Sequence, residues 1–252
     1  METSCATAHL EIRDTGVLLL LDGTESSWID LHDPTHLDFE YLQQMDAVVS
    51  ALRGPTAPVH AVHLGGAGCA LARAWDAARP GSEQLAVEID AILARKVREW
   101  FELPRAPRLR IRVGDAARAV RTLHADSWDV VVRDVFASGL VPPACTGREF
   151  LTECRRVLAP GGLYLANTVS PPRQAVAAEL ARLREVFGAV LVVADAAVVR
   201  GRRPGNLVFV ARVQPWTEEE LGEMERAVRR LPLPVRTWRA DDPELPQPPA
   251  GC

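Results

Sequence analysis

Val59-His60-Ala61-Val62-His63-Leu64-Gly65-Gly66-Ala67-Gly68 decides the fold. A β-branched, apolar run stops abruptly in small residues, and Ala70, Leu71, Ala74, Trp75 and Ala78 then recur at helical spacing until Pro80-Gly81. That is a strand, a tight turn and a helix, with a turn that lets a ligand approach backbone N–H groups at the helix N-terminus. The next apolar run, Gln84–Glu88, is a second strand and closes on Val87-Glu88-Ile89-Asp90. In an open α/β fold a carboxylate at that tip is placed to meet the ribose hydroxyls of a nucleoside.

Working outward, strand and helix patterns keep alternating. Leu93, Val97, Trp100 and Phe101 mark one helix face, Leu109–Val113 a third strand, Asp115–Leu123 a short helix and Trp128–Val135 a valine-rich strand. Phe150, Leu151, Cys154, Val157 and Leu158 predict a helix closed by Pro160-Gly161-Gly162, followed by a strand over Leu163–Val169 and a helix over Ala175–Phe187. The β-rich runs Val190–Val199 and Leu207–Val213 flank a turn at Gly201–Gly205. The pattern predicts a doubly wound, mostly parallel α/β sheet ending in an antiparallel hairpin. Upstream, residues 9–32 read as two or three short strands turning at Asp22-Gly23, too small to hold a core alone. Downstream, Thr217 and Glu220 form a capping box that opens a helix, and the last dozen residues, rich in proline and acid, are expected to be loosely held. The expected parts are a small N-terminal β element with the start of a helix (1–50), a ligand-binding α/β domain (51–215), and a C-terminal helix with its tail (216–252).

Composition limits the partners. The chain has 252 residues, 29 basic and 33 acidic side chains and a formal charge of −4, which favours neither nucleic acid nor an anionic membrane. Its apolar stretches are too short to span a bilayer, and no signal-peptide pattern opens it. The five cysteines, Cys5, Cys69, Cys145, Cys154 and Cys252, have no metal-ligand spacing. Reduced thiols, a cytoplasmic setting and no metal are the expectation.

Three carboxylates follow three strands. Glu88 is the candidate ribose ligand, the alternative being a surface acid beside a glycine turn that serves packing alone. Asp115, in Gly114-Asp115-Ala116, can accept from an exocyclic adenine amine or simply cap a helix. Asp134, after Asp129-Val130-Val131-Val132-Arg133, can serve as a base toward an amine, hold a cationic group, or bond its own loop, Phe136–Pro143. Gly65, Gly66 and Gly68 do not complete a dinucleotide fingerprint: counting from Gly66 the third small position is Leu71, and counting from Gly65 the second is Ala67. That disfavours NAD.

Leu19-Leu20-Leu21-Asp22-Gly23, the helix of Met45, the glycine loop, Val87-Glu88-Ile89-Asp90, Gly114-Asp115-Ala116, Asp129–Asp134 and Glu149-Phe150-Leu151 through Pro160-Gly161-Gly162 follow one another in an order that resembles the spermidine synthases, over about residues 16–215. The resemblance is closest to divergent spermidine-synthase-like proteins of bacteria. It implies a class I methyltransferase-like Rossmann fold, a decarboxylated S-adenosylmethionine donor, transfer of an aminopropyl group to a diamine, and a homodimer. It also implies roles: Gly65, Gly66, Gly68 and Ala116 around the donor, Glu88 on ribose, Asp115 on adenine, and Asp134 as the active-site carboxylate.

The departures fall on the amine side. The family loop carries an Asp directed at the donor's amine where Gly68 stands, and a second acid after the fourth strand where Ala137 stands. A Gln falls at about Ser26, and a Tyr at about Leu42, next to Tyr41. A dication in a closed site needs several carboxylates, and losing one charged partner costs about 2–5 kcal/mol. The expectation is therefore a small-molecule transferase that binds S-adenosylmethionine or its decarboxylated form and alkylates a small amine, with ordinary putrescine aminopropylation disfavoured. The alternative is a nucleoside-binding module without catalysis.

Other residues have plainer readings. Cys69 reads as a small buried thiol rather than a nucleophile, and His60 and His63 as packing or surface residues. Trp28 reads as a packing anchor or a cleft residue. Asp33 and His36 are candidates for an acceptor site. The loop Ser138–Gly147 is either a lid or a long connection.

Overall fold

The computed structural model describes residues 1–247. Three N-terminal strands, β1 (Ala8–Arg13), β2 (Gly16–Leu21) and β3 (Thr24–Asp30), form an antiparallel sheet. Helix α1 (Glu40–Arg53) leads into the main body: β4 (His60–Leu64), α2 (Ala70–Ala78), β5 (Glu83–Glu88), α3 (Ala91–Trp100), β6 (Leu109–Val113), α4 (Ala116–Arg121) and β7 (Trp128–Arg133). The second half continues with α5 (Arg148–Val157), β8 (Leu158–Ser170), α6 (Arg173–Phe187), β9 (Ala189–Ala194), α7 (Ala196–Val199), β10 (Gly205–Arg212), α8 (Glu218–Arg229) and β11 (Arg236–Arg239).

The main sheet runs β11-β9-β10-β8-β7-β4-β5-β6. Strands β6 through β8 pair in parallel, and β10, β9 and β11 are added antiparallel. This is the expected doubly wound architecture, hairpin included. After β4 the chain moves outward to β5 and β6, then returns to place β7 on the other side of β4. The carboxyl ends of β4 and β7 therefore flank the switch point, where such sheets bind ligands.

Strand alternation divides the core into two layers. Ala61, Ala86, Val130 and Val132 face Met45, Val48, Leu71, Trp75, Val97, Met224 and Val228, with Val17, Leu19 and Ile29 of the small sheet joining them. Val62, Leu64, Val87 and Val131 face Val120, Phe150, Leu151, Leu180 and Leu183. The N-terminal sheet thus completes its core on the larger body.

Three expectations are corrected. The fifth helix ends at Val157 rather than at Pro160: the chain is already extended at Leu158 and pairs with Trp128, and the Pro160-Gly161-Gly162 segment lies where the β7–β8 register shifts. Proline disfavours helix at the residue before it, which is why the strand starts early. The apolar run Val190–Val199 breaks at Asp195, whose carboxylate accepts from the N–H groups of Ala197 and Val198 and starts α7. At the C-terminal end an unexpected strand, β11, pairs with β9, and within the last dozen residues, expected to be loose, Leu245 is buried. Residues 248–252 of the expected tail, and with them Cys252, lie outside the described residues. The capping box at Thr217 and Glu220 is present as read.

Candidate active site

Four strand tips assemble the site. Gly65 follows β4 in a left-handed conformation (φ 89°), and a Cβ there would fall 2.1 Å from the carbonyl oxygen of Asp134. Its N–H donates to Val87 O at 3.0 Å, while the Asp134 N–H donates to Leu64 O at 2.8 Å. Glycine is required here because β5, β4 and β7 converge on this one residue.

Glu88 folds back over the loop. Its Oε2 accepts from Ala67 N at 2.9 Å and Gly66 N at 3.3 Å, and its Oε1 accepts from Asp90 N at 2.9 Å. A carboxylate offers about four acceptor sites, so one is left, and the 3.3 Å bond is the one most readily exchanged. Asp90 caps α3 through Leu93 N and also holds the N–H groups of Ser4 and Cys5. Burial opposes its charge, yet these donors bring its pKa down to about 2. Asp115 caps α4, its Oδ1 accepting from Arg118 N at 2.9 Å, and Ala116 behind it is buried. The helix-cap reading of Asp115 is thus observed, and among the described residues no protein donor reaches its second oxygen. Ile89 and Val113, at the tips of β5 and β6, leave 57% and 52% of their surface exposed. Both are large apolar side chains left exposed next to a carboxylate at the carboxyl edge of the sheet.

Asp134 is held from two other elements. Tyr41 of α1 donates its hydroxyl to Oδ2 at 2.7 Å, and Asn167 of β8 donates Nδ2 to Oδ1 at 3.0 Å. Neither donor carries charge. Burial raises the carboxyl above its ordinary pKa, although both hydrogen bonds and the charge of Arg133 pull the other way. Burial, and then the Asp134 charge, push the Tyr41 phenol well above its usual value, so it stays protonated and donating. Arg133 turns to the opposite face of β7, fully buried, where its guanidinium pairs with Glu179 of α6 and donates to Asn167 O. The guanidinium is thereby committed to Glu179 rather than to Asp134. No hydrogen bond joins the Asp134 side chain to the loop Phe136–Pro143, against the loop-bonding reading.

The positions at which the sequence departs from the spermidine synthases are rearranged rather than uniformly eroded. The phenol expected at Leu42 is supplied by Tyr41, one residue earlier, while Leu42 packs into the core. Position 68 is closed from β3: the Gly68 N–H donates to Ser27 Oγ at 3.0 Å, and a Cβ at 68 would lie 2.7 Å from Ser27 Cβ. Ala137 sits in a tight exposed turn, exchanging backbone hydrogen bonds with Leu140, and Phe136 and Leu140 project outward. Asn167, Asn206 and Ser27 escaped the sequence reading. For Asn167 a signal existed, a polar residue in the middle of an apolar strand.

Cys69 is buried, and burial lifts its thiol pKa to about 12. His63 is buried against Trp75 and Gln84 and pushed down to about 4, whereas His60 is exposed. Trp28 packs over Gly16. Asp33 accepts from the N–H and hydroxyl of Thr35, and His36 lies 3.9 Å from Asp38. Neither hydrogen-bonds to Asp134 or to the glycine loop. Among the described residues no cluster of three or more metal-ligating side chains occurs, and no helix is long and apolar enough to cross a membrane.

No protein-family model matches the chain. It is 29% identical over 166 residues to a polyamine aminopropyltransferase of Chromobacterium violaceum, covering 64% of this chain and 62% of that one. It is 25% identical over 225 residues to the human eEF1A lysine and N-terminal methyltransferase, covering 82% of this chain and 31% of that protein. Both curated relatives are thus matched over less than two thirds of their length. Among solved structures, a probable spermidine synthase from Corynebacterium glutamicum superposes with a TM-score of 0.87 and 34% identity, over 98% of this chain and 94% of that one.

Proposed function

The chain belongs to the spermidine-synthase-like family of S-adenosylmethionine-related transferases, and from that premise we propose that it binds an S-adenosylmethionine-type donor and alkylates a small amine. The observation that carries this reading is the Asp134 carboxylate, held by Tyr41 and Asn167 where β7 meets the glycine loop. The names of the relatives support the acceptor class, since both polyamines and lysine or N-terminal groups are amines.

The residues present fit the donor. Glu88 has an acceptor site left for ribose hydroxyls, Asp115 offers its second oxygen to an adenine amine, and Ile89 with Val113 supplies apolar walls for the ring. Gly65, Gly66 and Gly68 let the loop pack closely on Asp134, on Ala86 with Glu88, and on Ser27, which holds it beneath the proposed donor. When bound, such a donor supplies an electrophilic carbon on a sulfonium, with a neutral thioether as the leaving group. Asp134 then accepts the proton that the amine gives up as its nitrogen bonds to that carbon and the carbon–sulfur bond breaks. A carboxylate raised by burial is a better base than an exposed one. Tyr41 and Asn167 fix its direction, so that part of the positioning is done before the acceptor arrives.

The closure of position 68 bears on which donor is used. Ser27 takes the space that a side chain at 68 would fill, and no carboxylate stands there to meet a donor amine. The intact donor's own carboxylate offsets its ammonium, whereas the decarboxylated donor's ammonium stands alone and needs such a partner more, which supports S-adenosylmethionine over its decarboxylated form.

The test is calorimetric titration of the purified protein with S-adenosylmethionine, its decarboxylated form and methylthioadenosine, followed by mass-spectrometric turnover with a panel of diamines and monoamines. Binding with turnover on an amine is expected. Tight binding with no turnover on any amine would favour a nucleoside-binding module, and binding of none of the three would overturn the donor assignment.

A further inference from the structure

Behind Asp134 lies a second amide. Asn206, the second residue of β10, donates Nδ2 to Asn167 Oδ1 at 3.0 Å. Strand pairing sets this contact: Asn206 lies opposite Val169, and Asn167 opposite Val208, so the two asparagines are diagonal neighbours on one face of the sheet. An ionised carboxylate only accepts hydrogen bonds. Asn167 must therefore turn its NH2 toward Asp134, which leaves its oxygen facing β10 and calls for a donor there.

We propose that Asn206 is a positioning residue for Asp134, its NH2 fixing which end of the Asn167 amide faces the carboxylate. Without that donor the Asn167 amide is free to turn over. In the turned state its oxygen faces an oxygen of Asp134, an arrangement that is favourable only when Asp134 is protonated. Asn206 thus selects the ionised, proton-accepting form of Asp134 from two residues away. The backbone of Asn167 is immobilised separately by Arg133, so the side-chain amide is the part that Asn206 controls.

The groups facing Asp134 limit what else moves its titration. Tyr41 approaches from α1 as a neutral donor, and Arg133 lies on the same strand with its charge engaged by Glu179 of α6. Tyr164 of β8 is buried beside Arg133 and its phenol is held neutral by burial. Of the charged groups among the described residues, Arg133 acts on the carboxyl, against the effect of burial.

The inference rests on Asp134 as the acting carboxylate, but its test needs no substrate. Side-chain 13C-carboxyl NMR of the whole protein, with the Asp134 signal assigned through Asp134→Asn, reads the protonation equilibrium directly. Asn206→Leu keeps size and removes the donor, and is expected to favour the protonated form by about threefold to tenfold, half a pKa unit to one unit. An unchanged Asp134 titration in folded Asn206→Leu would overturn the proposal. If that variant does not fold, the wild-type protein answers: the Asn167 and Asn206 NH2 resonances should both shift with the Asp134 titration. Independence of the Asn206 NH2 from that titration would equally overturn it. Failure of the turnover panel with the relay intact would count against the transferase reading alone.

Discussion

Replacing Glu88 by alanine tests the donor site most directly, because this carboxylate has two separable duties. In the protein alone it accepts from three N–H groups, Gly66, Ala67 and Asp90. These groups lie at a partly exposed strand tip where water substitutes for the lost acceptor, so the cost to folding is about 1–2 kcal/mol. For a chain of this size that lowers the Tm by roughly 2–8 °C. With a nucleoside bound, a ribose hydroxyl donating to the one acceptor site left on the carboxylate is worth roughly 1.5–3 kcal/mol, so its loss weakens binding by about that much. That corresponds to roughly 10- to 10²-fold in Kd. The assay is titration calorimetry with S-adenosylhomocysteine at a temperature well below the Tm of the variant, with the Tm measured in parallel. Glu88→Gln separates the duties: it keeps the volume, but its amide must aim donors at donors on one side. It should fall between wild type and alanine in both readouts. A Kd within about threefold of wild type in folded Glu88→Ala would refute the placement of the ribose, whatever happens to the Tm.

Three further outcomes follow from the same geometry. Gly68→Asp should destabilise the protein by about 1–3 kcal/mol, since its Cβ meets Ser27 at 2.7 Å; denaturant titration should show Ser27→Gly recovering most of that loss, and failure to recover would show that the clash lies elsewhere. Turnover should fall as pH drops through the pKa of Asp134, because the base must be ionised; burial sets that limb above the ordinary carboxylate value of 3.8. Asp134→Asn should remove the limb and lower the rate by roughly 10²–10⁴-fold, and an unshifted profile in Asp134→Asn would assign the limb to another group. His63 is held down to about 4 by burial from an ordinary 6.5, so between those values the unfolded chain binds more protons. Stability should therefore fall as pH drops through that window, by a few kcal/mol in all. Equilibrium unfolding of His63→Gln should show a flatter dependence there, and an unchanged slope would exclude His63 as its source.

The linear order of residues was enough to reveal the α/β alternation, the glycine turn after β4 and the acids at the tips of β5, β6 and β7, because each depends on local periodicity and on a strand ending where apolar residues stop. Local patterns failed where pairing decides. The strand that starts at Leu158 and the edge strand at Arg236 are defined by their neighbours, Trp128 and β9, rather than by their own composition. The environment of Asp134 belongs to the same class. Tyr41 lies 93 residues from Asp134 along the chain, Asn167 lies 33 residues away, and Ser27 stands 41 residues from Gly68. A shift of one position between Leu42 and Tyr41 decides whether a phenol reaches the carboxylate, and only the packing of α1 against the sheet determines which of the two enters the core and which faces Asp134. Three acids at strand tips could be read from the sequence because a strand carries its own direction. How those acids are held, what charge they keep and what fills the space beside them depend on side chains that approach from other elements, and the tertiary structure alone brings these together.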